Sequence, residues 1–219
     1  MSQILAVLST SLFSWLSSPS LPEACPQVQP AITAYALDSG VAIDHSKGRE
    51  ELAGLIGQKA FPGFYMQGLT DVTYATQPRF VIESHELADG RWCSSLRRAT
   101  VEFGLGGPAN VHIAREILEG SCRYVTVLAH EMQHVGISQR AVTEASDDIR
   151  TQIEDASRRL SPSYGKSAEA SSELLKASLM KVVNEVTQKH IARAEMENAS
   201  IDTRRSYEIL SAQCPASED

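Results

Sequence analysis

From Ser121 to Leu160 the chain carries no proline, and its apolar residues recur at spacings of three and four. Such a run predicts one long helix, because residues three and four apart are neighbours on a helix face. Ser121, directly after Gly120, is the expected N-cap, and Ser161-Pro162-Ser163-Tyr164-Gly165 is the expected break. A second helical stretch runs from Ala168 to Ser200, with Leu175, Leu179, Val182, Val183, Val186, His190 and Ala194 along one face. Two long helices joined by a short break predict an antiparallel helical hairpin over residues 121–210.

The first half reads differently. Of the 13 glycines only Gly120, Gly136 and Gly165 fall beyond residue 110, so the earlier chain is cut into short pieces. Alternation of apolar and polar residues predicts strands at Ala31–Leu37, Arg79–Ser84, Ser95–Phe103 and Asn110–Ala114. Asp89-Gly90 is a hairpin turn signal. Arg49–Gln58 predicts a short helix. The expected class is therefore α+β, a small antiparallel β-sheet packed on the helical hairpin. At 219 residues, 42% of them hydrophobic, the chain is large enough for one well-filled domain over residues 21–219, mainly β across 31–116. A net charge of −7 with no concentrated basic face excludes a nucleic-acid binder that works by replacing counterions.

Residues Ile4 to Leu16 form an apolar run followed by Ser17-Ser18-Pro19-Ser20. The run is too short to span a bilayer and fits the hydrophobic core of a signal peptide over residues 1–20, leaving no integral membrane segment after its removal. An N-terminal amphipathic helix that stays on the core is the alternative. Cys25, Cys93, Cys122 and Cys214 all follow that segment, and none lies in a C-x-x-C pair. An even count without metal spacing suits two disulfides in an oxidising compartment, periplasmic or extracellular. Three pairings are open. The expected one joins Cys93 with Cys122 across the middle and Cys25 with Cys214 at the ends; four buried thiols are the alternative.

Inside the first long helix stands His130-Glu131-Met132-Gln133-His134, an H-E-x-x-H. Residues four apart share a helix face, so both imidazoles reach one metal ion. Glu131 is turned by about 100° from His130, which aims its carboxylate at a bound water rather than at the ion. This is the arrangement of a zinc hydrolase, with His130 and His134 as ligands of Zn2+ and Glu131 as general base. Two histidines and a glutamate serving the helix alone are the alternative.

Catalytic zinc takes a third protein ligand. The metzincin continuation requires a glycine and a histidine where this chain has Ile137 and Arg140, which excludes that class. Glu154 has a gluzincin-like spacing but would lie roughly 30 Å along the same unbroken helix. If the hairpin turns near Tyr164, residues 194–198 face the motif. Glu197 is the favoured ligand, with Glu195 and Asp202 close behind. His190 is expected to be a satisfied core histidine. Tyr207 is placed to donate to a developing oxyanion, and Asn110–Ala114 to act as an exposed edge strand that aligns an extended peptide.

The order of elements resembles that of the bacterial predicted secreted zinc-dependent proteases. The likeness runs through Tyr35–Leu37, the short helix at Glu51–Leu55, a strand with a central Cys93, and Ser121-Cys122-Arg123-Tyr124 leading into His130–His134. It implies a zincin-like, exported metallopeptidase acting on peptide, protein or cell-wall peptide. Where family members often carry Thr-x-His-Gly near the C-terminus, this chain has Asp202-Thr203-Arg204-Arg205-Ser206-Tyr207. The rival expectation is a non-catalytic, exported, disulfide-tied binding module whose metal site is structural or vestigial. The sequence leaves the oligomeric state open.

Overall fold

The structure is a computed structural model that describes residues 21–26, 28–56 and 65–214. The expected signal peptide, residues 1–20, lies outside the described residues, as does the end of the short helix beyond Ile56.

Three ribbons of chain lie side by side, each interrupted at the same level. One is β1 (Ala31–Leu37) followed by β2 (Val41–Asp44). The middle one is β5 (Trp92–Leu105) followed by β6 (Ala109–Ile113), and the third is β3 (Gly68–Asp71) followed by β4 (Tyr74–Glu86). Hydrogen bonding gives one sheet in the order β1-β5-β4, with β7 (Ser163–Gly165) also on β5, and a second in the order β2-β6-β3. Because the same ribbons continue from one to the other, the two sheets form one surface bent along residues 38–40, 72–73 and 106–108. Gly106-Gly107-Pro108 supplies the bend in the middle ribbon, where proline has no N–H to continue the ladder. The bend is tied by Gly106 N to Thr73 O at 2.7 Å and by Ala109 N to Gly40 O at 3.0 Å, with Gly40 in the left-handed region at φ 74°.

The α+β class is as expected, but the sheet is mixed rather than antiparallel. β1 runs parallel to β5 and β2 parallel to β6, whereas β4 and β3 are antiparallel to them. Alternation reports which face a residue takes and not which way its strand runs. Only the Asp89-Gly90 turn fixed a direction, and it closes the β4–β5 hairpin with Gly90 at φ 82°. Asn110–Ala114 is also corrected. Its strand, β6, is the buried centre of the second sheet, flanked by β2 and β3, each of four residues and too short to show alternation.

α1 (Arg49–Ile56) packs near β3, and the helical hairpin is α2 (Cys122–Leu160) with α3 (Ala168–Ile201). Ser121 caps α2 by accepting from Tyr124 N at 3.1 Å, and Ser167 caps α3 likewise. The hairpin lies on the sheet and buries Ala99, Val101 and Phe103 of β5 against Val142, Ile149 and Ile153 of α2 and Leu175, Leu179 and Val183 of α3. Beyond Ile201 the chain breaks and starts a further helix, α4 (Arg204–Ala212), capped by Thr203 in a reciprocal pair with Ser206. No described helix is long and apolar enough to cross a membrane.

The disulfides join Cys25 to Cys93 and Cys122 to Cys214, which corrects the expected pairing. The hairpin is the reason for the second: α3 and α4 carry the C-terminal end back to the first turn of α2. Cys25 meets Cys93 because the 21–26 segment lies along the β4–β5 turn, with Ala88 N donating to Pro22 O.

Candidate metal centre

α2 turns His130, Glu131 and His134 inward, where they are 4%, 5% and 7% exposed. Burying three such groups is unfavourable unless each has partners, and the returning chain supplies them. Nε2 of His130 lies 3.0 Å and Nε2 of His134 3.1 Å from the same atom, Asp202 Oδ1. Tyr207 Oη donates to that oxygen at 3.0 Å, and its ring stands 5.7 Å from that of His130. On its other side His134 donates from Nδ1 to Asn198 Oδ1 at 3.0 Å.

Asp202 is the C-cap of α3 and Asn198 lies one turn before it, so the pair repeats the four-residue spacing of the two histidines on the facing helix. Burial works against the Asp202 carboxylate, but the bonds from His130, His134 and Tyr207 outweigh it and hold its pKa well below the usual carboxylate range. Burial likewise opposes the charged form of His134, and the bonds to Asp202 and Asn198 win, raising its pKa. The Tyr207 hydroxyl is pushed upward by burial and by the Asp202 charge.

Glu131 is held from the opposite side by β3. Thr70 Oγ1 donates to its Oε2 at 2.8 Å and lies 3.0 Å from its carbonyl oxygen. Gly68 lets strand and helix approach closely: a Cβ there would stand 2.5 Å from Glu131 Oε1 and 2.7 Å from Val127 Cγ1. Burial raises the Glu131 pKa against the pull of His134 and the Thr70 bond.

The donor set suits a divalent cation. Two imidazole nitrogens and a carboxylate oxygen lie within 4.8 Å of one another. Neighbouring ligands around a tetrahedral zinc are about 3.3 Å apart, given bonds of about 2.0–2.1 Å. The 3.0 and 3.1 Å separations at Asp202 Oδ1 are a few tenths short of that. Once Nε2 gives up the proton it shares with Asp202, the Nδ1–H bond to Asn198 keeps the tautomer whose Nε2 can ligate a metal.

Of the expected third ligands, Asp202 is the one brought to the histidines, and Glu197 is not. Glu197 accepts from Arg140 at 2.7 Å and from Arg193 at 3.0 Å, and the Arg140 bond first of all lowers its pKa. The register is one helical turn away from a tight hairpin, because the connection is widened by β7 pairing with β5 before α3 begins. Glu154 pairs with Arg150 at 3.6 Å further along α2. Glu195 is turned elsewhere, its charge helping burial to raise the Tyr74 pKa. His190 is buried, donating to Asp148 Oδ2 at 3.2 Å. Asn198, Thr70 and Gly68 went unseen in the sequence. The Asn198/Asp202 spacing was the available sign for the first, and the other two sit on a strand too short to recognise.

No protein family, curated protein or solved structure matches the chain.

Proposed function

We propose that this chain is an exported zinc-dependent hydrolase, a peptidase of the zincin kind acting on peptide, protein or cell-wall peptide. The observation that carries the reading is the convergence of His130, His134 and Asp202 with the Glu131 carboxylate beside them. A zinc ion held by those three residues supplies Lewis acidity and makes the proton of a bound water labile near neutral pH.

The chain's own groups fit the remaining tasks. Glu131 would serve as the base for a water held at that ion and as the acid toward a leaving amine. Thr70 fixes Oε2 of that carboxylate. Asn198 holds the His134 ring in its ligating orientation. Tyr207 carries a hydroxyl beside the cluster that can donate to an oxyanion. β3 is one of the two edge strands of the second sheet among the described residues and adjoins Glu131, so it is the edge placed to offer main-chain groups to an extended peptide. Two disulfides fit the oxidising compartment that export implies.

One observation favours a second reading. The motif residues are nearly closed to solvent, as in a metal site that only stabilises a binding module. Zinc content separates metal from no metal: one equivalent in wild type and almost none in His134→Ala is expected. Loss of peptide hydrolysis in Glu131→Gln, with zinc retained, is expected of the hydrolase. Retention of hydrolysis would overturn the mechanism. Under chelation a catalytic site leaves the fold standing, whereas a structural one takes it away.

A further inference from the structure

α4 runs past the metal-ligand cluster without burying a single residue of its own. Ser206, Tyr207, Leu210 and Ser211 form only a half-buried face, and a helix of nine residues so lightly covered depends on further ties to hold its place. Two ties bear on the site. At the start, Tyr207 donates to Asp202. At the finish, the buried Arg123 of α2 donates to the carbonyls of Leu210 and Ser211 at 3.5 and 3.4 Å, and Cys214 is bonded to Cys122. The bridge is the covalent tie between α4 and the helix that carries the motif. All of His130, His134, Asn198, Asp202 and Tyr207 lie within the ring it closes, between cysteines 92 positions apart. The other bridge is built differently: Cys25 and Cys93 are buried with Leu87 at the base of β5. In the Cys122–Cys214 bridge, Cys214 is buried and Cys122 is partly exposed.

We propose that the Cys122–Cys214 disulfide sets the metal affinity of the His130–His134–Asp202 site, so that the chain takes up zinc tightly only after that bridge has been oxidised. The inference rests on the reading that this site holds zinc. Asp202 sits on the short link between α3 and α4. With the bridge closed, the site meets the metal with its third ligand already in place. With the bridge open, the end of α4 is released and Tyr207 leaves Asp202, so binding has to order them. A reducing compartment thus keeps the site weak, and export completes it where a disulfide oxidant takes the two electrons and two protons of the Cys122 and Cys214 thiols and is itself reduced to two thiols. The switching step is balanced by a phosphine reductant: the Cys122–Cys214 bond breaks, the phosphine takes the oxygen of one water, and the two sulfurs take its hydrogens.

The test measures zinc Kd by competition with a chromophoric chelator on the full oxidised chain, on Cys122→Ser/Cys214→Ser and on Cys25→Ser/Cys93→Ser. Wild type is expected to bind, the first variant to bind at least about tenfold more weakly, and the second to stay within about threefold, a coupling in the usual allosteric range. Equal affinity in the first variant and wild type, or equal losses in both variants, would overturn the proposal. If the first variant does not fold, the reciprocal measurement decides. Saturating zinc should slow phosphine reduction of Cys122–Cys214 in wild type and leave Cys25–Cys93 unchanged, as read by alkylation and peptide mapping. Identical rates with and without zinc would refute the linkage. A wild-type chain that binds no zinc at all removes the metal reading itself.

Discussion

Asn198→Ala offers the sharpest probe of the site, because it touches no ligand atom and no charge. The substitution deletes the Oδ1 that accepts from His134 Nδ1 at 3.0 Å and leaves His130, His134 and Asp202 intact. Without that acceptor the His134 ring is free to turn, and the tautomer carrying the proton on Nε2 becomes as accessible as the ligating one. Partners of this kind are worth about 10–100-fold in metal affinity, or roughly 1.4–2.7 kcal/mol at about 1.4 kcal/mol per tenfold. Metal-free stability should change by no more than about 1 kcal/mol, the net value of one hydrogen bond. Asn198→Asp keeps an acceptor in place and should bind zinc as tightly as wild type or tighter. The assay is zinc competition at fixed pH, paired with urea unfolding in chelator. An Asn198→Ala affinity within twofold of wild type would refute the role given to this residue, and an equal loss in Asn198→Asp would refute the orientation argument.

Other outcomes follow from the same geometry. Asp202→Ala should abolish stoichiometric zinc, while Glu197→Ala, which removes only the partner of Arg140 and Arg193, should leave zinc content unchanged by elemental analysis. Gly68→Ala forces a methyl against Glu131 Oε1 and Val127 and should destabilise by about 1–3 kcal/mol, the usual cost of overpacking; an unaltered thermal melt would contradict the tight β3–α2 approach. Asp148 has its pKa lowered first by the bond from Lys189. A carboxylate with a depressed folded-state pKa stabilises above its ordinary value of 3.8 and loses that contribution as pH falls through the folded value. Asp148→Asn should therefore flatten the acid side of the stability curve below about pH 4, by under about 1 kcal/mol for a pair this near the surface, as read by urea unfolding at stepped pH.

The parts of the fold that were legible in the sequence are those written in a local code. α2 and α3 show a helical period over several turns without proline, with Ser121 as the cap of the first. β5 alternates cleanly through Ala99, Val101 and Phe103. What escaped depends on contacts between distant segments. β2 and β3 have four residues each, and the parallel course of β1 beside β5 is set by a register linking Ala31 to Arg98. The site divides along the same line. His130, Glu131 and His134 are fixed by spacing within one helix, whereas the third donor depends on where a second helix returns. There, with β7 in the connection, the answer lies five residues on, at Asp202 rather than Glu197.

The two disulfides join each cysteine to the next one along the chain, 25 to 93 and 122 to 214. The covalent rings therefore lie end to end and do not interlock, with nearly all of β5 and β6 between them as the shared stem. A chain delivered N-terminus first closes each ring with the next thiol to arrive, and neither bridge has to be undone for the other to form.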